Sequence, residues 1–348
     1  MNSLQPVAFA SFGDNAYVLH IDAPAEDDSL AAAGSNGVVR IFSRRNLEVK
    51  STLKDLASGH RKRITGVRFH PENPQLVFSS SDDGCIECWD LREASVSRFY
   101  SLRYQPRGRR CFYAFDLNCK GKTLAAGTDA QDGDTYVLIW DVRHSTPLYG
   151  FEEIHSDDIT QIKFHPTRKN HLLTGSTDGL MCLLDLSESD KEEALVNVFN
   201  SESSVNRAGF YGAGWDCIYC LTHVESFSAW HAYEADRLAQ LSSFREDVQS
   251  QHGEKIDYLV DCSFDSHNGE LMLLAGDKRG TASLFGIDGD QIAALASLSG
   301  HADVIRCLKM NQRFNPFYTG GEDGRICAWK IDAGVKSEKR KRRGRDNV

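Results

Sequence analysis

One 32-residue stretch, Gly59–Asp90, occurs again without a gap further along the chain. His60 falls on His155, Ile64-Thr65 on Ile159-Thr160, and Phe69-His70-Pro71 on Phe164-His165-Pro166. Ser81 falls on Ser176, Asp83-Gly84 on Asp178-Gly179, and Asp90 on Asp185, making ten identities in 32 positions. Such self-similarity constrains the fold more than any composition does, because stacked units must then bury one another's faces. Within the unit, Gly59-His60 opens onto an apolar–polar alternation through Ile64 and Phe69. A second extended run covers Leu76–Ser81, a tight turn follows at Asp82-Asp83-Gly84, and a third run ends in Trp89-Asp90. Two extended runs flanking Asp-Gly predict a β-hairpin.

Aligning the chain on the place of Trp89 gives seven anchors: Phe42, Trp89, Trp140, Leu184, Trp230, Phe285 and Trp329. They are 47, 51, 44, 46, 55 and 44 residues apart. A Gly-His opening, a Trp-Asp close and a unit of about 40–45 residues resemble the WD40-repeat family. The resemblance implies an all-β fold, a single seven-bladed WD40 β-propeller over residues 1–332. The last unit stops after three strands, so an N-terminal strand, Val7–Phe12, is expected to complete it and close the ring. Closure of this kind removes exposed sheet edges.

The units are uneven. The first, Ala16–Leu53, turns on Asn36-Gly37, a favoured hairpin pair. The third carries a widened hairpin at Thr128–Asp134, and the fourth an acidic loop at Glu188–Glu193. Units five and six are degenerate: Val224 and Arg279 stand where the turn Asp belongs, and Phe285 replaces Trp. Tyr233–Glu254 is the longest departure from the repeat. It reads as an outer strand or short helix with a polar loop.

His60, Ser81, Asp83 and Trp89 contain the ingredients of a nucleophilic triad. In the family that this chain resembles, they form a buried network running from Trp to Ser to His to Asp. Unit four keeps His155, Ser176 and Asp178, and unit seven keeps His301, Asp323 and Trp329, so only unit two has all four residue types. Repeated, partly eroded copies suit a structural staple better than one active site. Cys85-x-x-Cys88 and Cys217-x-x-Cys220 have the spacing of zinc ligands, yet i,i+3 residues on a strand point to opposite faces. They read as buried thiols, and His70-Pro71 and His165-Pro166 as turn residues. No glycine-rich phosphate loop is present. The expectation is therefore no enzyme, no cofactor and no metal.

Charge divides the chain. Its net charge is −9, but Ala333–Val348 carries seven Lys or Arg against Glu338 and Asp346, which leaves −14 for the rest. An acidic body repels phosphates, so nucleic acid is not an expected partner except weakly through the tail. Residues 333–348 are expected to be a disordered basic tail. Within it, Lys339, Arg340, Lys341, Arg342 and Arg343 read as a nuclear localisation signal. Ten cysteines and no basic-then-apolar segment at Met1–Gln5 suggest reduced thiols inside a cell. The location expected is the nucleus, with a cytoplasmic pool also compatible; no membrane association is expected.

Trp-Asp-x-Arg occurs twice, at Trp89–Arg92 and Trp140–Arg143. It resembles the box of WD40 substrate receptors of cullin-4 ubiquitin ligases. That resemblance implies Arg92 and Arg143 as contacts to a ubiquitin-ligase adaptor; otherwise they are solvated side chains. The inserted hairpin sets the second box apart from the first. The leading expectation is a non-catalytic scaffold for protein–protein interactions, as a monomer or within a hetero-complex. A cullin-4 receptor and a ribosome-assembly or ribonucleoprotein factor are the alternatives.

Overall fold

The computed structural model describes residues 2–13, 15–53, 60–92, 98–103, 110–188, 193–266, 268–310 and 316–331. They form a seven-bladed β-propeller. Each blade contains four antiparallel strands, the first of them innermost. Blade 2 shows the pattern: Ile64–His70, Asn73–Ser81, Cys85–Asp90 and Arg98–Arg103 pair in chain order. Trp89 pairs with Val77, which pairs with Phe69. Every other anchor holds the same place on its third strand.

The core is divided among the seams between blades. Ala31, Val39 and Ile41 of blade 1 pack on Ile64, Val67 and Trp89 of blade 2. The other six junctions, blade 7 onto blade 1 included, have their own apolar clusters. A middle strand therefore buries both faces, and all six residues of Cys85–Asp90 are buried. This buries Cys85 and Cys88 as free thiols. Burial also pushes the Cys217 and Cys220 thiols up, to about 11 and about 12. Among the described residues no group of His, Cys, Asp and Glu is placed to hold a metal ion.

The ring closes as the sequence predicts. Ala8–Ser11 pairs antiparallel with Arg325–Trp329 and supplies the fourth strand of blade 7. The strand before it was not expected. Asn2–Leu4 runs parallel to Gln291–Ser299 and gives blade 6 a fifth strand. The chain crosses between the two blades at Pro6, packed so closely that a Cβ on Gly300 would come within 2.9 Å of its ring.

The degenerate region is filled rather than loose. After the outer strand of blade 5, Arg237–Leu241, a helix covers Phe244–His252 and ends on Gly253 in the left-handed conformation. Tyr233–Glu254 thus holds both a strand and a helix. Phe244 and Val248 are fully buried in the seam between blades 5 and 6. Phe244 meets Phe285 edge to face at 5.8 Å. The wide hairpin of blade 3 is pinned as well: buried Arg110 donates to the carbonyls of Asp129 and Asp134 and lies over the Tyr136 ring.

Candidate functional site

In blade 2, Asp83 lies in the turn, where its Oδ1 accepts from the Cys85 amide at 3.1 Å. Its Oδ2 accepts from the Arg61 amide and lies 3.1 Å from His60 Nδ1. His60 Nε2 lies 2.9 Å from Ser79 Oγ, and the Trp89 indole donates to that same oxygen at 2.9 Å. One proton assignment satisfies every group: Nδ1–H donates to Asp83, and the Ser79 hydroxyl donates to Nε2 while accepting from Trp89. Burial raises the Asp83 carboxyl, but hydrogen bonds from His60 and the two amides outweigh it, leaving the pKa below the ordinary value.

The hydroxyl in this network is Ser79, which corrects the assignment to Ser81. Val77, Ser79 and Ser81 share a strand face, with steps of about 7 Å between them. Val77 is opposite Trp89, so the indole reaches one step along, to Ser79. Ser81 pairs with Cys85 beside the turn and accepts from the Asp83 amide. The same shift applies elsewhere. In blade 4 His155 lies 3.1 Å from Asp178 and 2.7 Å from Thr174, not Ser176. In blade 7 His301 lies 3.1 Å from Asp323 and 2.8 Å from Thr319, to which Trp329 donates at 2.8 Å. Blade 7 therefore has a complete network, and blade 2 is not alone in having one. The three imidazoles are at most 1% exposed. The Ser79 hydroxyl is fully buried, with both of its hydrogen-bonding roles taken inside the blade.

Where the network is lost, the hydroxyl goes with it. The place of Ser79 is Ala32 opposite Phe42's face in blade 1 and Ala275 beside Phe285 in blade 6, where no indole N–H needs an acceptor. In blade 3 it is Ala126, and the buried Trp140 Nε1 has no hydrogen-bond partner among the described residues. The His-Pro turns are local caps. His70 Nδ1 accepts from the Glu72 and Asn73 amides, and His165 Nδ1 from those of Thr167 and Arg168.

Arg92 and Arg143 occupy equivalent places after the third strands of adjacent blades. Arg92 donates its amide and Nε to Asp90 Oδ1 at 3.0 and 2.9 Å, and its Nη2 to Oδ2. Arg143 repeats this with Asp141, at 3.0 and 2.9 Å for the first two bonds. The side chains are 65% and 78% exposed. Hydrogen bonds from Arg92 hold the Asp90 carboxyl down at about 2, and those from Arg143 lower Asp141 likewise. The inserted hairpin of blade 3 lies at the opposite end of its strand, so it does not distort the second box. Lys339, Arg340, Lys341, Arg342 and Arg343 lie outside the described residues.

Sequence reasoning missed the channel. The innermost strands line a cavity of 540 Å³ that includes Asp22, Arg68, Asp116, Lys163, Arg207, Asp261 and Lys309. Each comes from a different innermost strand, and only the register of the blades brings them together.

Comparison with known proteins agrees with this architecture. Residues 22–212 match the propeller family described as nucleolar protein 10-like, N-terminal domain. Residues 293–330 match the WD domain, G-beta repeat. The chain is 30% identical over 351 residues to WD repeat-containing protein GTS1 of Arabidopsis thaliana, covering 95% of this chain and 84% of that one. The chain belongs to the WD-repeat family. This WD-repeat protein is also 29% identical over 318 residues to the WD repeat-containing protein 89 homolog of Dictyostelium discoideum, covering 91% and 83% of the two chains. A shorter likeness, 26% over 178 residues, joins it to DDB1- and CUL4-associated factor 13 of the same organism, covering 51% of this WD-repeat chain and 37% of that one.

Proposed function

We propose that this chain is a non-catalytic interaction scaffold that acts in the nucleus and presents propeller surfaces to protein partners. One observation carries the reading. The His, Ser/Thr and Asp groups that could do chemistry are spent inside blades 2, 4 and 7, whereas apolar side chains stand on the outer strands. Leu195, Val196 and Val198 of blade 4 are 38%, 38% and 47% exposed on an edge strand, a surface suited to adding a partner's strand or apolar segment. The match to a nucleolar protein 10-like domain supports the nuclear part. Affinity purification of the full chain from nuclear extract tests the proposal. Stoichiometric partners lost with Val196→Lys plus Val198→Lys are expected; a chain recovered alone refutes it.

A second reading, that of an adaptor-binding substrate receptor, rests on the two matched arginines. Both boxes have one geometry, and a relative's name includes DDB1 and CUL4. Arg92→Ala plus Arg143→Ala separates the readings. Receptor function requires recovery of the cullin-4 adaptor with wild type and its loss with the double variant. Equal recovery, or none with wild type, removes this reading.

A further inference from the structure

The channel contains a ring with one residue from each blade. Asp22, Arg68, Asp116, Lys163, Gly209, Asp261 and Lys309 hold the same register, pairing with Ala31, Phe78, Ala125, Leu173, Tyr219, Leu274 and Tyr318. Each partner directly follows the residue opposite its blade's anchor. Around the ring the charges run negative, positive, negative, positive, none, negative, positive. A closed ring of seven cannot alternate two signs throughout, and Gly209 is where this one breaks.

The break leaves one cation of the ring, Lys163, without an ion pair among the described residues. Lys309 Nζ pairs with Asp22 at 2.6 Å, and Arg68 with Asp116 at 3.2 Å. Asp261 lies beyond the gap from Lys163, and it accepts from the Tyr219 hydroxyl at 2.9 Å and from the Cys262 amide. Among the described residues no hydrogen bond or ion pair reaches the Lys163 side chain. Arg207 sits two residues before Gly209 on the same strand, so its side chain leaves from the same face. Among the described residues it reaches only the carbonyls of Asn206 and Arg306, both at 3.4 Å. The Tyr219 ring packs against Gly209, where a Cβ would meet it at 2.8 Å. Two cations with no ion pair among the described residues thus flank one gap in the channel wall. Desolvation by the channel, with Arg68 and Arg207 nearby, lowers the Lys163 ammonium to about 8, against the pull of Asp261 and Asp116.

We propose that this gap is a binding site for one carboxylate group, held between Lys163 and Arg207. A half-buried cation pair without an anion costs free energy in the empty protein, and an anion placed between them offsets it. The three aspartates of the ring disfavour a polyphosphate, while a carboxylate carries a single charge and accepts from both an ammonium and a guanidinium. The cavity is of small-molecule size. The site is independent of the scaffold reading.

Calorimetric titration of the full chain in chloride-free buffer tests the site with three probes. These are propionate, inorganic phosphate and a short capped peptide with a single Glu. Propionate or the peptide is expected to saturate one site, the first indicating a free acid and the second a partner's side chain. Lys163→Met and Arg207→Met each weaken that binding about tenfold or more. Lys163→Met should lose the ligand without losing thermal stability, because the lysine has no partner to forfeit. Wild type gives a second readout should a variant not fold. With ¹³C-methylated lysines, the Lys163 signal, assigned by its absence from Lys163→Arg, is expected to titrate higher when propionate is bound. No saturable binding by wild type overturns the proposal. So does equal binding by both variants, or binding of phosphate alone.

Discussion

Ser79 satisfies two buried groups with one hydroxyl, so its loss strands both the Trp89 indole and the His60 ring. Ser79→Ala is expected to cost about 2–4 kcal/mol in urea unfolding, against about 1 kcal/mol for Ser81→Ala. Blade 3 offers the reverse experiment. Ala126→Ser supplies the acceptor that Trp140 lacks and should raise stability by about 1 kcal/mol. Because blade 7 is complete, His60→Ala and His301→Ala should cost the same within about 0.5 kcal/mol. This residue scale was the least legible in the sequence. Ser79-Ser80-Ser81 offers three hydroxyls in a row, and only the cross-strand register shows which one meets the indole. Thr174 and Thr319 read as ordinary strand threonines for the same reason. A pH effect belongs at this scale too. Burial, with Arg168 and His171 adding to it, lowers His165 to about 4. In the unfolded chain a histidine takes up its proton near pH 6.5. Between about pH 6.5 and 4 the unfolded state therefore binds more protons, and stability must fall as pH falls. His165→Asn keeps an acceptor for the turn amides and should flatten the decline of the melting temperature across that window.

The N-terminal residues serve two blades by two pairings. Asn2–Leu4 adds a parallel strand to a blade that already has four, whereas Ala8–Ser11 fills a vacancy. Their losses should differ accordingly. Removing residues 1–5 is expected to leave a monomeric propeller with a lower melting temperature. Removing residues 1–12 uncovers the Arg325–Trp329 edge and takes Phe12 from the seam between blades 7 and 1, so it should give aggregates in size-exclusion chromatography. If the two truncations behave alike, the closing strand is not what holds the ring. Most elements were legible, because a strand buried on both faces announces itself as an apolar run ending in a hairpin turn. Asn2–Leu4 escaped notice because three residues carry no period, and its pairing partner is almost 300 residues away in sequence. The Phe244–His252 helix was half seen for a related reason. Only Phe244 and Val248 mark its buried face, too few for a helical repeat to stand out in a β protein.

For the whole molecule, the ring form follows from the repeat, but the channel does not. Lys163 and Arg207 lie 44 residues apart in a sequence that shows each as a lone strand charge. They come together only when seven blades share one register. The outer charge is easier to read: a body at −14 is joined to residues 333–348 at +5. These opposed signs make a quantitative expectation about RNA, the partner of the assembly-factor reading. Neutralising phosphates with all seven tail cations gives a slope of log affinity against log salt no steeper than about −5 for a single strand. The acidic body should add nothing to it. Full-length chain should then bind single-stranded RNA weakly at low salt, with a slope at or below that limit, and the chain without residues 333–348 should not bind. The same deletion is expected to shift a fluorescent fusion from the nucleus toward the cytoplasm. RNA binding that survives the deletion, or a slope well beyond −5, would mean that the propeller itself holds a basic surface strong enough to overcome its net charge. That would favour the assembly-factor reading over the scaffold.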